Sequence, residues 1–325
     1  MITANPARKC AAIGLVTDVE AVCRDHVRIE FELKDFPRSE AGQFLQVLTA
    51  IEAETSGHVL EWRDGRFPSS LSSEFGCRQA YLRRPFSIAD RRRTADGRDR
   101  LAILSRAIGP GTRRLDGLFR GDAINVTGPL GRGFRIPCDS RPLVLIGGGV
   151  GIPPLLYLSR MLAEQSRQFV LILGAMTREL LPVRVVSDAP ADGTPTPCVQ
   201  IPGAPECRAI ITTDDGSLGV KGRVTVGLAG WARRSDQASA ESGARLTPLV
   251  LACGPSAMLA AISTATRDLG FGCQLCIERY MGCGMGTCLS CVTRVRDETR
   301  PIGWRWALAC TEGPVFDRDQ LVDGC

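Results

Sequence analysis

Three cysteines close together and a fourth further on limit this chain more than any other part of it. Cys283, Cys288 and Cys291 stand at C-x4-C-x2-C spacing inside Glu278-Arg-Tyr-Met-Gly-Cys283-Gly-Met-Gly-Thr-Cys288-Leu-Ser-Cys291, and Cys310 follows. That is the ligand layout of a plant-type [2Fe–2S] cluster, and thiolates are the soft donors iron–sulfur chemistry selects. Gly282, Gly284 and Gly286 let the backbone curl around an inorganic core, with positive φ where the path needs it and N–H groups aimed at sulfur.

Zinc and disulfides are the competing uses of such cysteines. A structural zinc site usually pairs two short knuckles, whereas here one arm supplies three ligands and the other one. A disulfide framework belongs to secreted chains, and Met1-Ile-Thr-Ala-Asn-Pro6 opens no secretory apolar stretch, so a cytoplasmic location with reduced thiols is expected. The remaining ten of the 14 cysteines form no second metal spacing, and most read as small buried hydrophobes.

A length of 325 residues allows several domains, and the formal charge of +5 from 40 basic and 35 acidic side chains gives no reason to expect nucleic acid or a membrane surface as partner. The basic run from Arg91 to Arg100 contains Asp96-Gly97 and reads as a solvated hairpin tip. The longest apolar run, Pro142 to Leu158, is broken by glycines and prolines and falls short of the ~20 residues a membrane span needs. No spanning segment is expected.

In the first part, period-two patterns over residues 11–17, 27–33, 43–48, 81–88 and 100–105 predict antiparallel strands. Residues 50–80 lose the pattern and read as an inserted surface excursion. Gly111-Thr112 opens a short helix whose N-terminus can hold an anion, and Gly121 to Phe134 gives a further strand and a glycine loop. Residues 1–137 are therefore expected to close into a six-stranded antiparallel β-barrel.

At Arg141 the period changes. Leu143 to Ile146 is a continuous apolar strand, Gly147 to Gly151 a phosphate-type loop, and Pro153 to Glu164 a helix. Strands at 169–173, 209–213 and 249–253, with a helix from Ser256 to Leu269 capped by Ser256, predict an α/β domain over 138–272 built on a parallel sheet. Its ligands are expected at the carboxyl ends of the strands. Residues 231–247 are polar and small and read as a mobile loop. Residues 273–325 form a small third domain around the cysteines.

Taken together, Leu82-Arg-Arg84-Pro85-Phe86-Ser87-Ile, Gly128-Pro-Leu-Gly131-Arg-Gly-Phe, Ile146-Gly-Gly-Gly-Val-Gly151-Ile-Pro, Asp214-Asp-Gly-Ser217, Lys221-Gly-Arg-Val-Thr225, Ala252-Cys-Gly254-Pro255 and the cysteine run resemble one family. It is the electron-transfer subunit of class 1B dihydroorotate dehydrogenase, in the ferredoxin-reductase superfamily. The resemblance covers nearly the whole chain except 52–79 and 231–247.

The resemblance implies a relay in pyrimidine biosynthesis, in which NADH, FAD and a [2Fe–2S] cluster exchange electrons with an FMN-containing dihydroorotate dehydrogenase catalytic subunit in a heterotetramer. Related reductase subunits serving ferredoxin, sulfide or hydrogenase partners share its nucleotide motifs. Carried over by position, the FAD-binding residues are Arg84 at the diphosphate, Pro85, Phe86 beside the flavin and Ser87 on its ring, with Gly111 and Thr112 adding backbone contacts. For NAD they are Gly148, Gly149, Gly151, Asp214, Cys253, Gly254 and Pro255; for the cluster, Cys283, Cys288, Cys291 and Cys310. Asp214-Asp215 favours NAD over NADP, because a carboxylate accepts from a ribose 2′-hydroxyl and repels a phosphate. No residue is expected to perform dihydroorotate chemistry: His26 and His58 lie outside the nucleotide motifs.

Overall fold

Alternating side chains in the first part of the chain build a sheet with one face inward. The computed structural model describes residues 9–49, 82–201, 207–242 and 247–322, so the expected excursion at 50–80 lies outside the described residues. Strands β1 (Cys10–Cys23), β2 (His26–Leu33), β3 (Phe44–Val47), β4 (Arg84–Ser87), β5 (Asp90–Arg93), β6 (Asp99–Arg106) and β7 (Ala123–Leu130) pair antiparallel, with helix α1 (Pro110–Asp116) between the last two. Their order is β4-β3-β7-β1-β2-β6-β5. Val16, Ile29, Phe31, Leu33, Leu45 and Val47 fill the inner face.

This corrects the expected closed barrel of six strands: seven strands follow an open path, a half-barrel. The extra strand is β5. Its sequence, Asp-Arg-Arg-Arg, has no apolar alternation, and it pairs with β6 across the Thr94-to-Arg98 turn where Gly97 takes φ 81°. The hairpin was legible there, but the charged strand was not.

Continuous apolar runs give the second sheet, as strands covered on both faces do. It contains β8 (Leu143–Gly148), β9 (Phe169–Ala175), β10 (Arg184–Val185), β11 (Thr196–Gln200), β12 (Cys207–Thr213), β13 (Val220–Lys221), β14 (Leu249–Cys253), β15 (Gly272–Cys276) and β18 (Val315–Asp317). The interior strands β12, β9, β8, β14 and β15 run parallel, whereas β11 pairs antiparallel with β12, β10 antiparallel with β11, and β18 antiparallel with β15, so the sheet is mixed at its margins. Helices α2 (Ile152–Glu164), α3 (Val224–Ser242) and α4 (Ser256–Asp268) cross between them. Pro255, rather than Ser256, stands at the N-cap of α4.

Helix α3 also overturns the mobile loop expected from residue 231 onward. Val224, Leu228, Trp231 and Ala232 recur at helical spacing and are buried, with the Trp231 ring edge-on to Phe271 at 6.2 Å. The polar stretch after them continues the helix to Ser242; residues 243–246 lie outside the described residues.

Strands β16 (Val292–Arg296) and β17 (Trp304–Leu308) form a two-stranded ribbon. The segment bearing the cysteines leaves the large sheet at β15 and returns to it at β18, which pairs directly with β15.

A buried ionic cluster joins the half-barrel to α2. Asp90 at the start of β5 accepts from Arg160 Nε at 2.5 Å and from Arg92, with Arg28 3.7 Å away, while Arg160 also bonds Glu164 and the Arg91 carbonyl. Beside it, Tyr157 Oη donates to the Ser39 carbonyl at 3.0 Å.

Candidate functional site

Glycine and a hydroxyl shape the cysteine loop. Gly284 and Gly286 take φ of 72° and 94°, which L side chains rarely adopt, and a Cβ on Gly282 would press on Cys288 Sγ at 3.3 Å. The N–H groups of Met285 and Cys288 point at Cys283 Sγ at 3.3 and 3.4 Å, and that of Cys283 points at Cys288 Sγ at 3.4 Å. Ser290 Oγ lies 3.1 Å from Cys288 Sγ and accepts from the Gly282 N–H. Hydrogen bonding from the Ser290 hydroxyl and the Cys283 N–H pulls the Cys288 thiol down to about 6. Cys310, fully buried beside Cys291, is pushed up to about 12 by burial and by that neighbouring thiol.

The Cys283 and Cys288 thiols are thus joined through each other's backbone N–H groups, while Cys310 neighbours Cys291. Among the described residues no three His, Cys, Asp or Glu side chains converge on one point for a single ion. Three thiols on one loop and a fourth in the turn after β17, with Cys288 exposed, Cys283 half-buried, Cys291 and Cys310 buried, and N–H groups aimed at sulfur, fit an iron–sulfur cluster with two ligands per iron.

The adjacent edge of the half-barrel carries the Arg-Pro-Phe-Ser stretch on β4. Arg83, just before it, is committed to structure through Asn125 Oδ1 at 2.7 Å and the carbonyls of Gln46 and Asn125. Arg84 is exposed, and its guanidinium bonds the Leu82 carbonyl at 3.4 Å, which leaves donors for an anion. Phe86 and Ser87 are half-buried along the same edge strand. At α1 the Thr112 hydroxyl is used locally: it accepts from the Ile108 and Gly109 N–H groups and donates to the Gly109 carbonyl, while Gly111 is buried. These residues shape the turn from within.

A cavity of about 360 Å³ opens at the carboxyl ends of β8, β9 and β12, where α3 and α4 begin. Gly148, Gly149, Asp214 and Pro255, four of the residues expected at the nucleotide, line it. Gly149 has φ 53° and open space where a side chain would go. Gly151, Cys253 and Gly254 are not among the lining residues. A Cβ on Gly151 would lie 2.2 Å from the Cys253 carbonyl, so this glycine serves close packing; Cys253 is buried, and hydrogen bonding with Cys276 and burial hold its thiol well above its ordinary range. Asp215, unlike Asp214, is a turn residue whose carboxylate accepts from the Ser217 N–H and hydroxyl.

Sequence reasoning missed His26, Arg106, Met176, Arg223 and Met258 in the same wall. His26 is buried and bonds the Arg24 carbonyl through Nδ1 at 2.8 Å, while Nε2 has no hydrogen-bond partner among the described residues. Burial, opposed by the Arg24 hydrogen bond, lowers its pKa. His26 and Arg106 face each other across β2 and β6, a non-local register that no local motif announces. Met176 follows the carboxyl end of β9, a position the parallel-sheet rule does flag.

A profile of the iron–sulfur cluster binding domain of dihydroorotate dehydrogenase B matches residues 278–322. The chain is 34% identical over 241 residues to "Dihydroorotate dehydrogenase B (NAD(+)), electron transfer subunit" of Desulforamulus reducens, covering 74% of this chain and 80% of the relative. It is 29% identical over 273 residues to the protein of the same name from Caldanaerobacter subterraneus, covering 84% and 94%. Among solved structures it resembles the NADH-dependent reduced ferredoxin-NADP oxidoreductase, at TM-score 0.63 and 20% identity over 95% of this chain and 89% of that one, a likeness of fold.

Proposed function

Because this chain belongs to the family of dihydroorotate dehydrogenase B electron transfer subunits, we propose that it moves electrons between NAD(H), FAD and a [2Fe–2S] cluster, to and from an FMN-containing catalytic subunit in UMP synthesis. FAD supplies the exchange between hydride and single electrons, which neither nicotinamide nor an iron–sulfur cluster performs. The observation that carries this reading is adjacency: β3 pairs with the Arg84-to-Ser87 strand and also packs against Gly284 of the cysteine loop. The elements that would hold the two cofactors are thus neighbours of the same strand, β3.

Residues 1–137 hold FAD, with Arg84 toward the diphosphate, Phe86 and Ser87 at the flavin, and Gly111 and Thr112 shaping the second diphosphate turn. Residues 138–272 hold NAD(H) at Gly148, Gly149, Asp214 and Pro255, with Gly151, Cys253 and Gly254 forming the layer beneath. Residues 273–325 hold the cluster through Cys283, Cys288, Cys291 and Cys310. Tyr280, Met285, Leu289 and Trp306 are large, apolar and exposed around the cysteine loop and ribbon, the kind of surface a catalytic subunit covers. Among the described residues no helix is long and apolar enough to cross a membrane. A cytoplasmic heterotetramer of two such chains and two catalytic ones follows the family pattern.

The deciding experiment is reconstitution. The purified chain should reduce dyes with NADH and leave dihydroorotate untouched, and adding the FMN-bearing subunit should couple dihydroorotate to NAD. Dihydroorotate-dependent NAD reduction by the chain alone would defeat this division of labour; failure to couple despite intact FAD and cluster would move the chain to another reductase partner.

Cofactor choice gives a second expectation. Asp214 lines the cavity near Arg223, so Asp214→Ser should raise the NADPH/NADH ratio of kcat/KM by roughly tenfold, about 1.4 kcal/mol of relieved repulsion. Steady-state kinetics with both nucleotides measure it, and an unchanged ratio would remove Asp214 from the ribose site.

A further inference from the structure

Gln46 is fully buried, and among the described residues neither its Nε2 nor its Oε1 has a hydrogen-bond partner. Leaving a buried amide unsatisfied costs about 1–3 kcal/mol per group, so the position calls for a partner supplied by something bound. Its place in the fold narrows the choice. On β3, Leu45 and Val47 point into the half-barrel core, while Phe44 packs outward in the cluster that includes Cys291 and Cys310, and Gln46 alternates onto the Phe44 side. A Cβ placed on Gly284 would lie 2.7 Å from Gln46 Cγ and 2.8 Å from Nε2. The amide therefore abuts the loop between Cys283 and Met285, while its backbone pairs with Pro85 of the flavin strand.

We propose that Gln46 Nε2 donates a hydrogen bond into the sulfur shell of the cluster and raises its reduction potential. Sulfur carries more negative charge after reduction, so an N–H donor favours the reduced state, and hydrogen bonds to sulfur are among the determinants of cluster potential. The inference rests on the cluster assignment above. Gln46 is a tuning residue: it ligates no iron and accepts no electron.

Gln46→Met keeps an unbranched side chain of similar length and removes the donor. In the holoprotein, an EPR-monitored redox titration should find cluster reduction about tenfold less favourable, a lowering of about 59 mV for a one-electron couple. Iron content and FAD content should stay at wild-type levels. A purely structural amide predicts an unchanged potential.

A second measurement needs no substitution. Wild-type holoprotein carrying glutamine labelled with 15N at the side-chain amide should give a 15N hyperfine coupling to the reduced cluster. No coupling in cluster-loaded wild type overturns the proposal, however the variant behaves, as does an unchanged potential in cluster-loaded Gln46→Met. A wild-type protein without iron or visible bands beyond flavin overturns both this proposal and the cluster assignment, whereas a loaded wild type without the coupling overturns the role of Gln46 alone.

Discussion

Replacing Cys288 by serine is expected to remove the cluster while leaving FAD bound and NADH oxidation by dyes within about twofold of wild type. The variant spares the fold because Cys288 is exposed, so little packing is lost with its sulfur. It is severe for the cluster, because outer partners of a metal ligand alone are worth about 10–100-fold in affinity and a ligand is worth more. The half-barrel core and the nucleotide cavity lie on other elements. Iron analysis, visible absorbance and dye reduction read the two halves separately, and electron delivery to the catalytic subunit should fall with the iron. Flavin lost together with iron would contradict this modularity.

The other large effect is on stability. Asp90→Ala should cost about 3 kcal/mol, the lower end of the range for breaking a buried ion pair. Asp90 and Arg160 are both nearly buried, and the substitution leaves a guanidinium facing empty space where a carboxylate stood 2.5 Å away. The lower end applies because Arg160 retains Glu164 and the Arg91 carbonyl, and Arg28 retains Glu30. At roughly 2–4 °C per kcal/mol for domains of 150–250 residues, the melting temperature drops by roughly 6–12 °C. Asp90→Ala combined with Arg160→Met should recover part of that loss, since the stranded charge goes too. Thermal unfolding of these two variants and of Arg160→Met alone measures the coupling, and an Asp90→Ala protein melting at the wild-type temperature would show that Arg160 does not need the Asp90 carboxylate.

What the sequence made legible follows from how local each signal is. Alternation placed β1, β2, β3 and β6, and continuous apolar runs placed β8, β9, β12 and β14. The charged strand β5 was hidden because its burial comes from Asp90 meeting Arg160, far along the chain. Helix α3 was missed because its polar C-terminal part obscured the Val224, Leu228 and Trp231 spacing before it. At the site, spacing singled out the four cysteines as one set but not how they pair, and the separation of cavity-lining Gly148 and Gly149 from packing Gly151 required the Cys253 backbone beside it. Two adjacent arginines, Arg83 and Arg84, look equivalent in sequence; the Asn125 side chain is what distinguishes them.

The chain that carries the cysteines is tied at both ends. β15 pairs with β18, the Ile277 N–H bonds the Pro314 carbonyl, and Arg132 bridges to Pro314. The closure entropy of the span between them is met by these polypeptide contacts. The cysteine loop and the ribbon therefore stand on a fixed base, and a change within the loop is confined between two anchored ends.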